Sequence, residues 1–257
     1  MLDVRDLRLH DGVRLMLNFN RENLSGHPLN AAINDLIERS EPPAKNVRQY
    51  LGASAIGSEC LREVQYNWMC DPVHPVRTLD IFERGHFFEA LTRQRFLRAG
   101  FKFEASDDRL GFEAVGGLFR GHSDGILIDG PPALIEIKYP AIWECKCLNA
   151  KGWRAVERDG LVGLYQVYAS QISIYQSYLN VTENPALVTI VNADTCERLN
   201  FLVPFDAAVA QMASDRAVVV IEATRAGELL PRVTEDPNDW RCKMCTHRER
   251  CWRADTP

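Results

Sequence analysis

The feature that most constrains this chain is a set of cysteines split across most of its length. Cys242, Cys245 and Cys251 lie together in WRCKMCTHRERCW, and Cys60 stands far upstream in LGASAIGSECLREVQY. A Cys-x2-Cys pair followed by a third cysteine one short loop later has the spacing of a metal or cluster clamp. A four-coordinate site needs one more ligand from elsewhere. Soft thiolates select zinc or an iron–sulfur centre, and spacing alone does not separate the two. With Cys60 as the fourth ligand, the tail is stapled to the first third of the chain. Cys70, Cys145, Cys147 and Cys196 lack such spacing and read as small buried apolar residues.

A chain of 257 residues is long enough for one large core. Its start, MLDVRDLRLHDG, carries charges where a signal peptide needs an apolar stretch, and no apolar run approaches a membrane span. The expected location is the cytoplasm, where eight cysteines read as thiols or metal ligands rather than disulfides. The net charge of −5 is unlike that of a general nucleic-acid coat. It is compatible with a carboxylate-rich metal site beside a local basic strip.

Periodicity predicts a helix over Asn30–Arg39, a second from a Ser54 cap through Cys60 to Trp68, and a third over Leu79–Arg98 that Gly100 stops. The period then shortens. Phe101–Glu104, Gly111–Phe119, His122–Ile128, Ala133–Lys138 and Ala141–Cys147 read as strands. A helix over Gly163–Leu179, a strand pair at Leu187–Asn192 and Arg198–Pro204, and a helix over Ala207–Ala226 complete a mixed α/β architecture.

Chemistry concentrates in GHSDGILIDGPPALIEIKYPAIWECKCLNAKGW. Asp124 is expected on one strand. On a later one Glu144 and Lys146 project to the same side, with Cys145 and Cys147 turned into the core. Two carboxylates and a lysine at a strand end make a site for a hard cation, Mg²⁺ or Mn²⁺, with the lysine orienting a water or meeting developing charge. The preceding helix adds Glu89 from RGHFFE, and Gln171 and Tyr175 share one face of the later helix. Glu136-Ile137-Lys138 is a second Glu-x-Lys. His86 and His122 read as histidines bonded to backbone or solvent rather than ligands.

Together these parts resemble the PD-(D/E)xK nuclease superfamily in its RecB-like branch, which includes AddB-type and CRISPR-associated nucleases with iron–sulfur clusters and many phage-encoded exonucleases. The resemblance runs from about Leu51 to Cys251. It implies a restriction-endonuclease-like core with a mixed central sheet flanked by helices, plus an N-terminal helical region and a C-terminal tail joined by the cluster. It places Glu89, Asp124 and Glu144 as ligands of Mg²⁺ or Mn²⁺, and Lys146, Gln171 and Tyr175 as the remaining catalytic set. Cys60, Cys242, Cys245 and Cys251 become ligands of a [4Fe–4S] cluster, with Zn²⁺ as the alternative. The WECK context and the shorter gap from Lys146 to Gln171 favour Glu144/Lys146 over Glu136/Lys138. The segments LGASAIGSEC and YASQISIYQSYL look closest to phage members.

The expected organisation is an extension over 1–50, a nuclease core over 51–230 and a cysteine tail over 231–257. The expected activity is a deoxyribonuclease, an exonuclease on linear DNA in phage-type recombination or DNA processing, located in the host cytoplasm if phage-encoded. A single-strand annealing or recombination protein is the expected partner. Arg62, Lys151, Trp153 and Arg154 are candidate nucleic-acid contacts, and the stretch from Asn149 to Arg154 equally fits a polar loop with a tucked tryptophan. The rival reading is a non-catalytic or partner-activated DNA-binding protein with a zinc or iron–sulfur staple. The intact Glu-x-Lys and Asp124 weigh against it.

Overall fold

In the computed structural model, residues 28–41, 49–69, 74–161 and 165–253 are described. The chain divides into a first unit, Met1–Pro43, and a second, Ala44–Pro257. The first contributes one described helix, α1 (Pro28–Ser40), whose Arg39 and Asp35 form a pair one turn apart at 2.7 Å.

The second unit is built on two sheets. The larger joins β2 (Lys102–Phe103), β5 (Gly125–Asp129), β6 (Ala141–Leu148), β7 (Ala186–Asn192) and β8 (Arg198–Val203) in that order. Only the β6–β7 pair is parallel among these; β2–β5, β5–β6 and β7–β8 are antiparallel. The smaller sheet orders β1 (Leu51–Gly52), β4 (Phe119–His122) and β3 (Gly111–Ala114).

Because strand side chains alternate, the large sheet presents two apolar faces. Leu127, Trp143, Cys145 and Val191 pack with Phe88 of α3 (Val76–Arg98) on one side. Ile126, Ile142, Val188 and Ile190 pack on the other, with α4 (Ala150–Asp159), α5 (Gln166–Tyr178) and α6 (Ala207–Ala226). A strand buried on both sides reads as a continuous apolar run, and β7, ALVTIVN, is buried at every position. The expectation that only Cys145 and Cys147 face a core is therefore corrected. Glu144, on the opposite side, is fully buried as well.

Several expected elements are redrawn. The strand expected over Gly111–Phe119 is a hairpin. Val115, Gly116 and Gly117 take φ values of 52°, 64° and 82°, a left-handed run that turns β3 back into β4. Ala133–Lys138 is not a strand but an exposed turn segment, with Ile135 70 % exposed, so Glu136 and Lys138 are no strand face. Ser54 lies in a short 3₁₀ turn, Ala53–Ala55, and the α-helix carrying Trp68, α2 (Leu61–Met69), begins only after Cys60. Asn149–Arg154 is not a loop: Asn149 caps α4 by accepting from the Gly152 amide at 2.9 Å. Cys196 is exposed in the β7–β8 turn rather than buried, and Cys70 lies outside the described residues. Among the described residues, no helix is long and apolar enough to cross a membrane.

Candidate active site

The most prominent concavity containing the acidic residues is a cleft of about 1200 Å³. Glu89 reaches it from α3, Glu144 and Lys146 from β6, and Gln171 and Tyr175 from α5. Asp124 sits in the bend just before β5, not on a strand, and its carboxylate accepts from the Cys145 amide at 2.7 Å. That bond ties the bend to the middle of β6. Glu136 and Lys138 are not among the residues lining this cleft.

The buried carboxylate of Glu144 is half satisfied. Its Oε1 accepts from Lys146 Nζ at 2.5 Å and from Gln171 Nε2 at 2.9 Å. Gln171 Nε2 also donates to the Tyr175 hydroxyl at 3.1 Å. Glu144 Oε2 is buried with no partner among the described residues. A buried carboxylate oxygen without a donor carries the full cost of desolvation.

The electrostatics follow from burial and crowding. Burial first, and Asp124 second, push Glu144 up to about 8 and Glu89 up to about 7. Burial raises Asp124 as well, offset in part by Lys146 and the Cys145 amide. For Lys146 burial acts to lower the value, but Glu144 and Asp124 outweigh it and hold the ammonium charged. Tyr175, raised by burial and then by Glu144, stays a neutral phenol. Three carboxylates share a space that penalises their charge, and such sites fit a cation that removes the penalty. The unpartnered Oε2 of Glu144 and the all-oxygen donor set fit a hard divalent ion. Among the described residues, no three His, Cys, Asp or Glu side chains are already drawn onto one point.

Only likenesses in fold were found among known proteins. No family profile and no curated protein matches the sequence. Among solved structures, an alkaline exonuclease (LHK-Exo) from Laribacter hongkongensis aligns with a TM-score of 0.49 at 12% identity, over 70% of this chain and 90% of that one. A protein designated SSO0001 aligns with a TM-score of 0.43 at 13% identity, over 85% of this chain and 93% of that one. At these scores the likenesses carry no argument about what this chain does.

The four cysteines border one small cavity without closing on a common point. Cys60, Cys242, Cys245 and Cys251 line a small cavity of about 30 Å³, together with Arg232, Arg241 and Arg248. Burial pushes the Cys245 thiol up to about 12 and raises Cys242 too, an environment in which a soft cation, not bulk water, is what removes the proton. The arginines suit a centre that four thiolates would leave anionic. The donor set and its surroundings thus fit either zinc or an iron–sulfur cluster.

The tail carrying three of these cysteines, with α7 (Trp240–Met244) and α8 (Arg248–Arg253), docks largely through polar contacts. Arg241 pairs with Glu59 at 2.7 Å, and within the tail the Arg232 guanidinium donates to the Cys251 carbonyl at 2.8 Å. Buried His247 shares a 2.8 Å hydrogen bond with Asn67 near the end of α2, and Asn67 lines the large cleft.

The remaining candidates separate. Arg62 donates to the Leu230 carbonyl and approaches Cys251 Sγ at 4.0 Å, so it belongs to the cysteine end of α2. Lys151 and Arg154 are exposed on α4. Trp153 is 6 % exposed within the main core, which overturns its reading as a sugar or base contact. His86 and His122 line the cleft and face Asp124 electrostatically.

Tyr168, which stands in the same helical stretch as Gln171 and Tyr175, lies 5.5 Å under the Lys146 ammonium. Two contributors were missed by sequence reasoning: Thr92 hydrogen-bonds the Cys145 thiol, and His247 braces Asn67. For Thr92 the signal was available: it lies three residues after Glu89, on the same helical face.

Two predictions arise here. Raised carboxylate values mean that the folded protein keeps protons the unfolded chain has already lost between the ordinary 4.5 and about 8. Their contribution to stability is therefore full below pH 4.5 and declines as pH rises through that window. The Tm of EDTA-treated protein should fall from pH 5 to pH 8, and Glu144→Gln should flatten the slope. The mutant comparison isolates the cleft from His247, whose burial lowers its value and tilts the curve the other way. A slope unchanged by Glu144→Gln would refute the assignment.

Gly121 forms the floor opposite α5. A Cβ there would lie 2.6 Å from the Tyr175 ring and 2.5 Å from that of Phe112. Gly121→Ala should cost about 1–3 kcal/mol by overpacking and displace Tyr175 from Gln171. Chemical denaturation would show it, and an unchanged midpoint would contradict so tight an approach.

Proposed function

We propose that the chain is a divalent-metal-dependent deoxyribonuclease of the PD-(D/E)xK type, acting on the ends of linear DNA in phage-type recombination or DNA processing. The observation that supports this reading is the meeting of Glu89, Asp124, Glu144 and Lys146 in one cleft, with a buried oxygen of Glu144 left unpartnered. Glu89, Asp124 and Glu144 would hold Mg²⁺ or Mn²⁺, which supplies charge at the phosphoryl oxygens when bound.

The chain's own groups divide the remaining work. Hydrolysis adds water across a P–O bond: the water oxygen bonds to phosphorus, the ester bond breaks, and the departing oxygen ends protonated. Lys146, kept charged by Glu144 and Asp124, orients the water and faces the negative charge that grows on the phosphate. Gln171 fixes the Glu144 carboxylate through Oε1 and is itself held against Tyr175. Tyr168 lies beneath the lysine and limits where its ammonium can go. In the same reading the four cysteines hold a structural [4Fe–4S] cluster, with zinc as the alternative occupant.

The test uses end-labelled linear DNA and its circular counterpart, with anaerobically purified protein and Mg²⁺ or Mn²⁺. Wild type and Lys138→Ala should degrade the linear substrate, and Lys146→Ala should not. Equal activity in wild type and Lys146→Ala would remove the site assignment. Binding of DNA by wild type without turnover in either metal would leave the non-catalytic reading in its place.

A further inference from the structure

The cleft is poor in usable positive charge. Its lining holds six carboxylates and two permanent cations, Arg120 and Lys146. Both are already paired, Arg120 with Glu113 at 2.7 Å and Lys146 with Glu144. Lys/Arg contacts to phosphate supply most non-specific affinity for nucleic acid, and this cleft cannot supply many of them.

What it offers instead is aromatic surface. Ile81 and Phe82 line the wall above Glu89 yet remain 45 % and 48 % exposed. Phe82, Gly85 and Glu89 follow each other along one face of α3, which sets Phe82 about 10 Å along the helix axis from the carboxylate. The Phe82 ring packs perpendicular to the His74 ring, with centroids 5.2 Å apart at 89°, which limits how it can turn. Trp68 and Tyr50 line the same cleft.

We propose that Phe82 is a stacking step for a base of single-stranded nucleic acid, placed next to the position where the strand is cut. The cleft then grips its substrate by bases more than by phosphates. This rests on the nuclease reading of the same cleft and adds the form of the substrate. A base lays its face on a protein ring only where it is not stacked inside a duplex, so an exposed ring in the cleft favours a single strand. Stacking on an aromatic ring is tolerant of sequence, so the step positions the strand without selecting bases.

The experiment is fluorescence anisotropy in Ca²⁺ with three oligonucleotides: a labelled single strand, an abasic strand of equal length, and the duplex. Wild type, Phe82→Ala and Phe82→Trp are compared, with Mg²⁺-dependent cleavage by wild type measured separately. The Phe82→Ala protein should bind the base-bearing strand about ten-fold more weakly, with Phe82→Trp restoring it and Tm unchanged in both. Abasic strand should bind weakly and equally to all three proteins. Raising salt from 50 to 200 mM should weaken wild-type binding by less than about ten-fold, as for two or fewer phosphate contacts. The proposal is overturned if Phe82→Ala binds like wild type, if the abasic strand binds as tightly as the base-bearing one, or if duplex binds more tightly than single strand. It is also overturned if wild type binds none of them. Cleavage without a Phe82 effect rejects the stacking step and keeps the nuclease; a Phe82 effect without cleavage does the reverse.

Discussion

Asp124→Asn should leave the protein folded and lower the proposed metal-dependent DNA cleavage by about three orders of magnitude. The substitution keeps an oxygen that accepts from the Cys145 amide, so the bend before β5 stays tied to β6. What it removes is one negative charge from a cluster in which burial and mutual repulsion already raise Asp124, Glu144 and Glu89. Without metal the variant should therefore melt at or above the wild-type temperature. With metal it should gain less thermal stability than wild type, because one ligand charge is gone. Loss of a single preorganised electrostatic contact costs about 10²–10³ in rate, and loss of a metal ligand affects every charge the ion stabilises. Paired melting and cleavage assays read the two effects independently. Retained cleavage at the wild-type rate would remove Asp124 from the site, and collapse of the fold would show that its role is structural.

The second large effect concerns the tail. Cys245→Ala should bleach the brown colour of anaerobically purified protein and lower its Tm by about 10 °C or more. Thiolate ligation of zinc in small domains carries an apparent ~10–16 kcal/mol, and even a third of that corresponds to such a shift in a chain of this length. The tail's described contacts with the rest of the chain include the surface-accessible Arg241–Glu59 ion pair, which contributes about 1 kcal/mol or less, and single contacts such as His247–Asn67. They do not replace a bound centre. Cys196→Ala, at an exposed turn cysteine, should leave colour and Tm unaltered. Iron and sulfide in stoichiometric amount would identify a cluster, and zinc in a colourless protein would identify the alternative. An unchanged Tm in Cys245→Ala would remove the staple.

Residue pattern made some of this readable in advance and hid the rest for physical reasons. Glu144 and Lys146 stand two apart on a strand, so their common side followed from the pleat alone. Which of two Glu-x-Lys pairs lies in the cleft did not. Leu134-Ile135-Glu136-Ile137-Lys138 alternates like a strand, but it lies in an exposed turn segment, and local pattern cannot register that. The β3–β4 hairpin was signalled by Gly116-Gly117, and what hid its start is Val115, a β-branched residue in a left-handed position. Trp153 looked available beside Lys151 and Arg154. The period of α4 turns it inward, a distinction that required recognising the helix first. The bond between His247 and Asn67 spans 180 residues and has no local signature at all.

That bond gives the order of synthesis a meaning. Helix α2 begins just after Cys60 and ends at the cleft wall, and the imidazole steadying Asn67 sits two residues past Cys245. A nascent chain that has emerged only as far as Asp239 already carries Glu89, Asp124, Glu144 and Lys146, yet lacks three of the four thiols and the brace on Asn67. Domains fold as they emerge, so the hydrogen bond that steadies Asn67 is made after the rest of the cleft lining has been synthesised.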